Sequence, residues 1–557
     1  MSQSIPFLQS VLSLLLLLLC ANYAFCGPLV NFQVAQPPPF VLDSEALQCT
    51  IPILQRTFGS SIGDPEIVQY TPPTGCSTPN VWGGVTLTLT VTSSGTQFPR
   101  FAFFTFHNVE IWRSSTAIPT DSGSEGIVWT YVKDVTRFMP LFSEPGTFIL
   151  QLDNVIDSGA GLDGGYAVTL EATIFSGSSL FPPAPRADLI IPLTTLANNA
   201  GNEASVPPGF SIQVTLPRNA VTAFVELQAS SSNDDTFWYW NKPNQFLSYF
   251  MSGIAGNGPF REVRVLVDGQ VAGVAFPYAF LSTGASNAAW RPITSYGALD
   301  MPTYHLDLTP FIPILTNGQP HTITLDVASA EPDHQINQNW FLSGLLQVNL
   351  DSSTLPTAGN ITLYQADNYA LSTVTGYNDS DIHITVNASR IIHIEAEIIA
   401  GSGEQTKVVF TQNLEYGNVQ KYPISANDNP EQVFQIASGE TLSTHNGEIA
   451  LQDTFTYPLL ITMDYPTQTS SVTTAHIDHA YDRVLLPAPF IMGTTIIEHQ
   501  VADAMELNDS DFGSGGCSNM FYYSDTEGHT YTRQVNASMD AITFDNQGGT
   551  LAPKGAS

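Results

Sequence analysis

Apolar and polar side chains alternate along Val85-Thr-Leu-Thr-Leu-Thr-Val91, apolar at 85, 87, 89 and 91 with threonines between. A period of two marks a strand with one buried face. The same period runs through 262–267, with Val263, Val265 and Val267 on one face and Glu262, Arg264 and Leu266 on the other. Asp268-Gly269 follows, a pair that suits a type I′ turn because both central residues need positive φ. The turn predicts a returning strand over 270–276. Further strand patterns fall at 101–112, 146–154, 166–175, 224–229, 321–328 and 340–350, then at 391–399, 408–414 and 449–463. No long amphipathic helix pattern interrupts them, and 41 Gly and 38 Pro supply the turns.

These runs predict an all-β chain. Two consecutive jelly-roll-like β-sandwich domains are expected at 49–180 and 187–351, followed by a β-rich C-terminal region at 356–546 and a tail at 547–557. The Pro-rich stretch 181–186 reads as a linker, and 27–48 as an extended lead-in. Residues 1–26, with an apolar core at 11–20 and small residues after it, read as a secretory signal cut near Cys20–Cys26. The run lacks a preceding Lys or Arg, which leaves an uncleaved N-terminal anchor as the alternative reading. With the signal removed, a secreted protein with no membrane attachment is expected.

Charge and cysteine usage extend this picture. Only 12% of the 557 residues are charged, yet the formal net charge is −33. Such a surface repels nucleic acid and anionic membranes. Aromatic residues make up 11%, which argues for packed cores rather than acidic disordered tails. In an oxidising compartment Cys49 and Cys76 are the expected disulfide pair, which leaves Cys517 odd. Sequons at Asn360, Asn378, Asn387, Asn508 and Asn536 predict surface N-glycosylation after residue 355.

Motif chemistry is sparse. There is no His-Glu-x-x-His helix, no Gly-x-Ser-x-Gly elbow and no phosphate loop. His476 and His479 would face opposite sides of a strand, so no metal site and no cofactor are predicted. What remains are carboxylates beside arginines and tryptophans. Glu262 is the first candidate acid or base, with Asp235 and Glu110 as possible partners. Arg113, Arg264 and Arg291 are candidate donors to an amide oxygen or to sugar hydroxyls. Trp238, Trp240 and Trp290 are candidate stacking platforms for a sugar face.

Three runs carry a resemblance. Gly256-Asn-Gly-Pro-Phe-Arg-Glu262-Val, Trp290-Arg-Pro-Ile293 and Leu306-Asp-Leu-Thr-Pro-Phe311 resemble the glycoamidase A family of plants and fungi, the peptide-N4-(N-acetyl-β-glucosaminyl)asparagine amidases A. Val109-Glu-Ile-Trp112-Arg113 and Gly126-Ile-Val-Trp129-Thr-Tyr-Val-Lys-Asp134-Val-Thr-Arg137 extend it into the first module. The resemblance implies a secreted, metal-independent hydrolase acting on N-glycopeptides or N-glycoproteins, with Glu262 as a functional carboxylate. It covers the first two modules, thins after residue 355, and at the level of architecture is similar to the two sandwiches of bacterial glycoamidase F. Two departures stand out. Family members commonly carry Asp where Phe98-Pro99-Arg100 has Pro99, and an acidic residue where this chain has Thr236. An alternative reading is therefore a catalytically impaired relative that binds N-glycans.

Overall fold

The computed structural model describes residues 28–36, 47–118, 126–177, 185–196, 204–281, 290–378, 381–424, 430–465, 472–486, 492–507 and 513–553. The expected signal at 1–26, Cys20, Cys26, Asn508, half of the lead-in and most of the linker lie outside them. Strands dominate the described residues and form five sheets.

Two sheets make the first sandwich. One has six strands in the order Ile293–Thr294, Leu29–Gln33, Ile127–Asp134, Trp82–Ser94, Gly165–Ser176 and Gln48–Phe58. The other has four: Glu66–Tyr70, Gly146–Leu152, Phe101–Phe106 and Val109–Ser115. Val85, Leu87, Leu89 and Val91 face the core between them, as the alternation predicts. The run at 101–112 is not one strand but a hairpin. His107 and Asn108 both take positive φ, 51° and 63°, and fold the chain back. The lead-in is not free either: Leu29–Gln33 pairs with Ile127–Asp134, and Ile293–Thr294, from the second sandwich's stretch of chain, joins the same sheet. The Cys49–Cys76 disulfide is formed.

The second sandwich pairs two further sheets. Leu189–Leu193 and Ala204–Val206 both pair with Trp340–Leu350, which continues to Ala220–Ser231 and Thr303–Asp307. Facing it are Phe210–Val214, His321–Ala328, Glu262–Val267 and Gln270–Ala275. Asp268 and Gly269 take φ of 49° and 82°, the positive values that the turn requires. The Glu262–Val267 strand departs from its own alternation, because both faces are buried. A further layer lies over it.

That layer is the C-terminal region, a single eleven-stranded antiparallel sheet running from Ala358–Ala366 to Ala541–Gly548, each later strand beside its sequence neighbour. Its inner face merges with the second sandwich into one core. Amides on one strand, Gln405–Pro423, dock it: Gln412 bonds both the N–H and the carbonyl of Val274 at 2.9 Å, and Asn418 and Gln420 donate to the carbonyls of Tyr239 and Asn241 at 3.0 Å. These pairs satisfy backbone groups that the second sandwich would otherwise bury unpaired. The outer face stays half exposed, and Asn360, Asn378 and Asn387 are exposed on its strands while Asn536 is half-buried.

The two sandwiches share an internal repeat. Asp134-Val-Thr-Arg-Phe138-Met-Pro and Asp307-Leu-Thr-Pro-Phe311-Ile-Pro each end a strand and enter a short helical turn. In both, the aspartate accepts from the backbone N–H two residues on, Thr136 or Thr309, at 2.8 Å. In both, that threonine's hydroxyl takes a backbone N–H from a neighbouring strand, Val85 at 3.1 Å or Ala223 at 3.2 Å. The surroundings differ. Asp307 is buried and its second oxygen is held by Ser443 at 2.5 Å and His445 at 2.8 Å from the large sheet. Asp134 is exposed and meets no such cover. Asp307→Ala should therefore destabilise the chain by about 3 kcal/mol, because it strands buried donors. Asp134→Ala should cost about 1 kcal/mol, for one turn bond. Urea unfolding of the two variants checks the order.

Candidate active site

The two sandwiches meet along the edge strand Val109–Ser115, and Arg113 crosses the seam. Its guanidinium is fully buried. Nε and Nη2 grip Glu110 at 2.7 and 2.6 Å, while Nη1 donates to Ser230 Oγ and the Phe341 carbonyl of the second sandwich, both at 2.8 Å. Ser343 adds a hydrogen bond to Glu110 from the same side. The Phe103 ring lies 5.1 Å from the guanidinium carbon. Such a pair is stable only because every donor and acceptor in it is used.

Half-buried rings line the rim above. Phe101 meets Phe341 edge-on at 5.9 Å and Phe280 at 6.4 Å, and Phe98, three residues before Phe101, is exposed. Two residues before Phe341 in the chain, Asn339 accepts from Asn233 at 2.9 Å and donates to Ser205 at 2.6 Å. Thr236, half-buried, turns its hydroxyl back onto the Asn233 carbonyl. Pro99 sits at this same end of the seam. Next to it Arg100 donates from Nη2 to Gln97 at 2.9 Å, while its Nε is buried without a partner. Apolar rings with adjoining amides offer what a sugar ring offers in return, a flat apolar face and an edge of hydroxyls.

The other candidate carboxylates are buried and engaged. Asp235 accepts from Arg261 twice, at 2.7 and 2.6 Å, from Trp340 at 2.6 Å, Asn241 at 2.9 Å and Asn337 at 3.2 Å. It ties the 233–241 loop to the 256–261 run. Glu262 points the opposite way from Arg261, into the large sheet. Arg390 holds both its oxygens at 2.8 and 2.9 Å, and Ala370 N–H adds a bond at 3.1 Å. Burial pushes the Glu262 carboxyl up, against the pull of Arg390. Only 1% of Glu262 is exposed, so no substrate atom reaches it in this arrangement. Its expected neighbour Arg264 grips Asp326 instead, at 2.7 and 2.6 Å.

The remaining candidates are also dispersed. Arg291 pairs with Asp540 at 3.0 Å. Trp238 and Trp290 are buried in the core, and Trp240 is half-buried beside Lys242. Large apolar rings gain most from full burial, and the large sheet provides it. The rings that do face the seam are phenylalanines, legible beforehand only as an aromatic-rich strand. His476 and His479 fall on opposite faces of Val472–Leu485: His476 bonds Asp503 at 2.8 Å, and buried His479 meets Tyr278 at 3.0 Å. Among the described residues no cluster of three potential metal ligands occurs.

Two β-sandwiches whose seam is crossed by a buried arginine, with a large antiparallel sheet packed on the second, define an all-β protein of the sandwich class. Comparison with known proteins makes this specific. The profile described as peptide N-acetyl-β-D-glucosaminyl asparaginase amidase A matches residues 37–367, which span both sandwiches, and the chain belongs to that family. The PNGase_A C-terminal domain matches residues 383–459, within the large sheet, where the resemblance carried by motifs thins. The peptide-N4-(N-acetyl-β-glucosaminyl)asparagine amidase A of Prunus dulcis is 30% identical over 384 residues, covering 66% of this chain and 65% of that protein. The chain thus spans just under two thirds of that relative's length. Solved structures of PNGF-II, in its C2 and P21 crystal forms, align over 55% of this chain and 66% of theirs at 14% identity, with TM-scores of 0.37 and 0.35.

The placement of Glu262 predicts a stability phenotype. Glu262→Gln leaves Arg390 buried without its counter-charge and should cost about 3–5 kcal/mol. Replacing both residues by leucine should recover most of that loss. Chemical unfolding of the single and double variants measures it; an unchanged single variant would contradict the structural role. A second seam pair predicts acid behaviour. Glu226 is buried, and Arg137, bonded at 2.9 and 2.6 Å, brings its carboxyl down to about 2 against the cost of burial. A depressed acid stabilises above its unfolded pKa, and the contribution is lost as pH falls through the folded value. Glu226→Gln should therefore be less stable at neutral pH and lose less stability than the parent between about pH 4.5 and 2.

Proposed function

We propose that this chain acts on asparagine-linked glycans, hydrolysing the amide between asparagine and the first N-acetylglucosamine of N-glycopeptides or N-glycoproteins. The observation that carries the reading is the family match over residues 37–367, because those residues build both walls of the seam. Water adds to the amide carbonyl, the carbon–nitrogen bond breaks, and the peptide retains aspartate. The glycosylamine leaves and loses ammonia to a second water. A base for the water and donors for the oxyanion are needed. The scheme uses protein groups alone and proceeds without a metal, in a secreted protein that meets glycoproteins outside the cell.

A second reading is an impaired relative that holds N-glycans with little turnover. Specific observations favour it. The three carboxylates nominated from the sequence are each gripped by an arginine: Glu110 by Arg113, Asp235 by Arg261 and Glu262 by Arg390. At the rim, where the family commonly has aspartate, Pro99 offers neither charge nor backbone donor. The adjacent Arg100 keeps a buried Nε with no acceptor. An aspartate at 99 would supply one.

Mass analysis of a short N-glycopeptide decides between the readings. Amide hydrolysis leaves aspartate, whereas cleavage between the two N-acetylglucosamines leaves a sugar on the asparagine. Pro99→Asp should raise turnover by about two orders of magnitude or more with glycopeptide affinity little changed. Strong parental turnover that is unchanged or lower in Pro99→Asp would show that another group serves as base.

A further inference from the structure

At the other end of the first sandwich lies a cavity of about 620 Å³. Asp134 and Thr86 pair across neighbouring strands there, while Ser94 stands at the Pro99 end. Eight residues of strand, roughly 26 Å, separate the two ends. The cavity is walled by all three parts of the chain: Lys133, Asp134 and Arg137 from the first sandwich, His305 from the second, Tyr481 and Tyr523 from the large sheet. Its volume is in the range of small-molecule sites, which favour junctions between domains.

The lining restricts what could fill it. Every cation on it is already claimed: Lys133 by Asp300 at 2.5 Å, Arg137 by Glu226 at 2.6 Å and Arg483 by Asp453 at 2.6 Å. Burial, the largest effect on it, brings His305 down to about 4, so it is neutral. An anion finds no unpaired positive charge. Acceptors are in surplus, because Asp134 spends one oxygen on the Thr136 turn and Glu527 has no cation partner among the described residues. The aromatic floor is close-set, with Tyr296 and Tyr481 rings 4.3 Å apart. Asp307 shows what the repeat does elsewhere: its equivalent oxygen takes donors from Ser443 and His445. The Asp134 copy lacks them and opens into the cavity instead.

We propose that this cavity is a second binding site, which takes a neutral, polyhydroxylated ligand of one or two sugar rings, with Asp134 accepting from its hydroxyls. Vicinal hydroxyls supply the missing donors, and the apolar face of a sugar ring lies on the tyrosines. The site is independent of the seam at Pro99 and of amide hydrolysis there.

The test uses the intact chain and α-linked mannobiose, which has neither N-acetylglucosamine nor asparagine. Its failure therefore leaves the amidase reading untouched. Saturation-transfer NMR and calorimetry measure binding to the parent, to Asp134→Ala and to Thr494→Trp. Asp134→Ala removes the acceptor at a cost in stability small enough for the chain to fold. Thr494 is half-buried on the cavity wall, and a tryptophan there fills the space. Binding to the parent that weakens about tenfold or more in both variants, with thermal unfolding cooperative in each, is the expected result. No binding to the parent, or undiminished binding in either variant, would overturn the proposal.

Discussion

Buried arginine–carboxylate pairs hold this molecule's three parts in register. A guanidinium removed from water is tolerable only with a bidentate partner and its other donors satisfied. Arg113, paired with Glu110 on its own strand, donates across to Ser230 and Phe341, and Arg137 pairs with Glu226 across the same junction. Arg390 with Glu262 joins the second sandwich to the large sheet. Arg264 with Asp326 lies beside that junction and also donates to Asn368 at 2.6 Å. Arg483, paired with Asp453 on the large sheet, reaches the Thr303 carbonyl of the second sandwich at 2.7 Å. Each pair tolerates little displacement, because a shifted arginine would be left buried and unpaired. The pairs thereby specify how the layers dock, while apolar burial supplies most of the driving force.

This use of charge has a chemical consequence. The chain has 17 Lys and Arg against 50 Asp and Glu, and the seams consume many of the cations in one-to-one pairs. The excess of negative charge is therefore carried largely at the surface, where carboxylates remain hydrated. A carboxylate that meets a buried arginine is saturated by its hydrogen bonds. It makes a strong joint, but has no free lone pair with which to accept a proton from water. The site proposed for the seam would depend on groups outside these pairs.

The repeated aspartate turn shows how one local device can serve two ends. Its internal geometry is the same in both sandwiches, since it depends on residues within one short stretch and one neighbouring strand. What the outer oxygen of the aspartate does is set by what covers it. The large sheet closes over Asp307 and leaves Asp134 at a cavity, so the same turn is a buried joint in one place and an open acceptor in the other.

The sequence by itself determined the all-β class, the strand at 85–91, the Asp268-Gly269 turn, the Cys49–Cys76 bridge and the family. These depend on periods of two, on backbone φ preferences and on motifs a few residues long, all local properties of the chain. It also contained the repeat, in the paired Asp-x-Thr-x-Phe-x-Pro stretches, though nothing local says that the two copies are used differently. Tertiary structure decided the rest. The pattern at 262–267 correctly separates two faces but cannot show that a third layer covers the polar one. Arg390, 128 residues further along, turns Glu262 from a candidate exposed acid into a buried joint. The docking of Leu29–Gln33 on Ile127–Asp134 likewise requires a partner distant in sequence. Trp238 and Trp290 could equally have stacked on a ligand or packed in a core, because the same large apolar surface suits both. Only the enclosing sheet, which removes that surface from water, settled which.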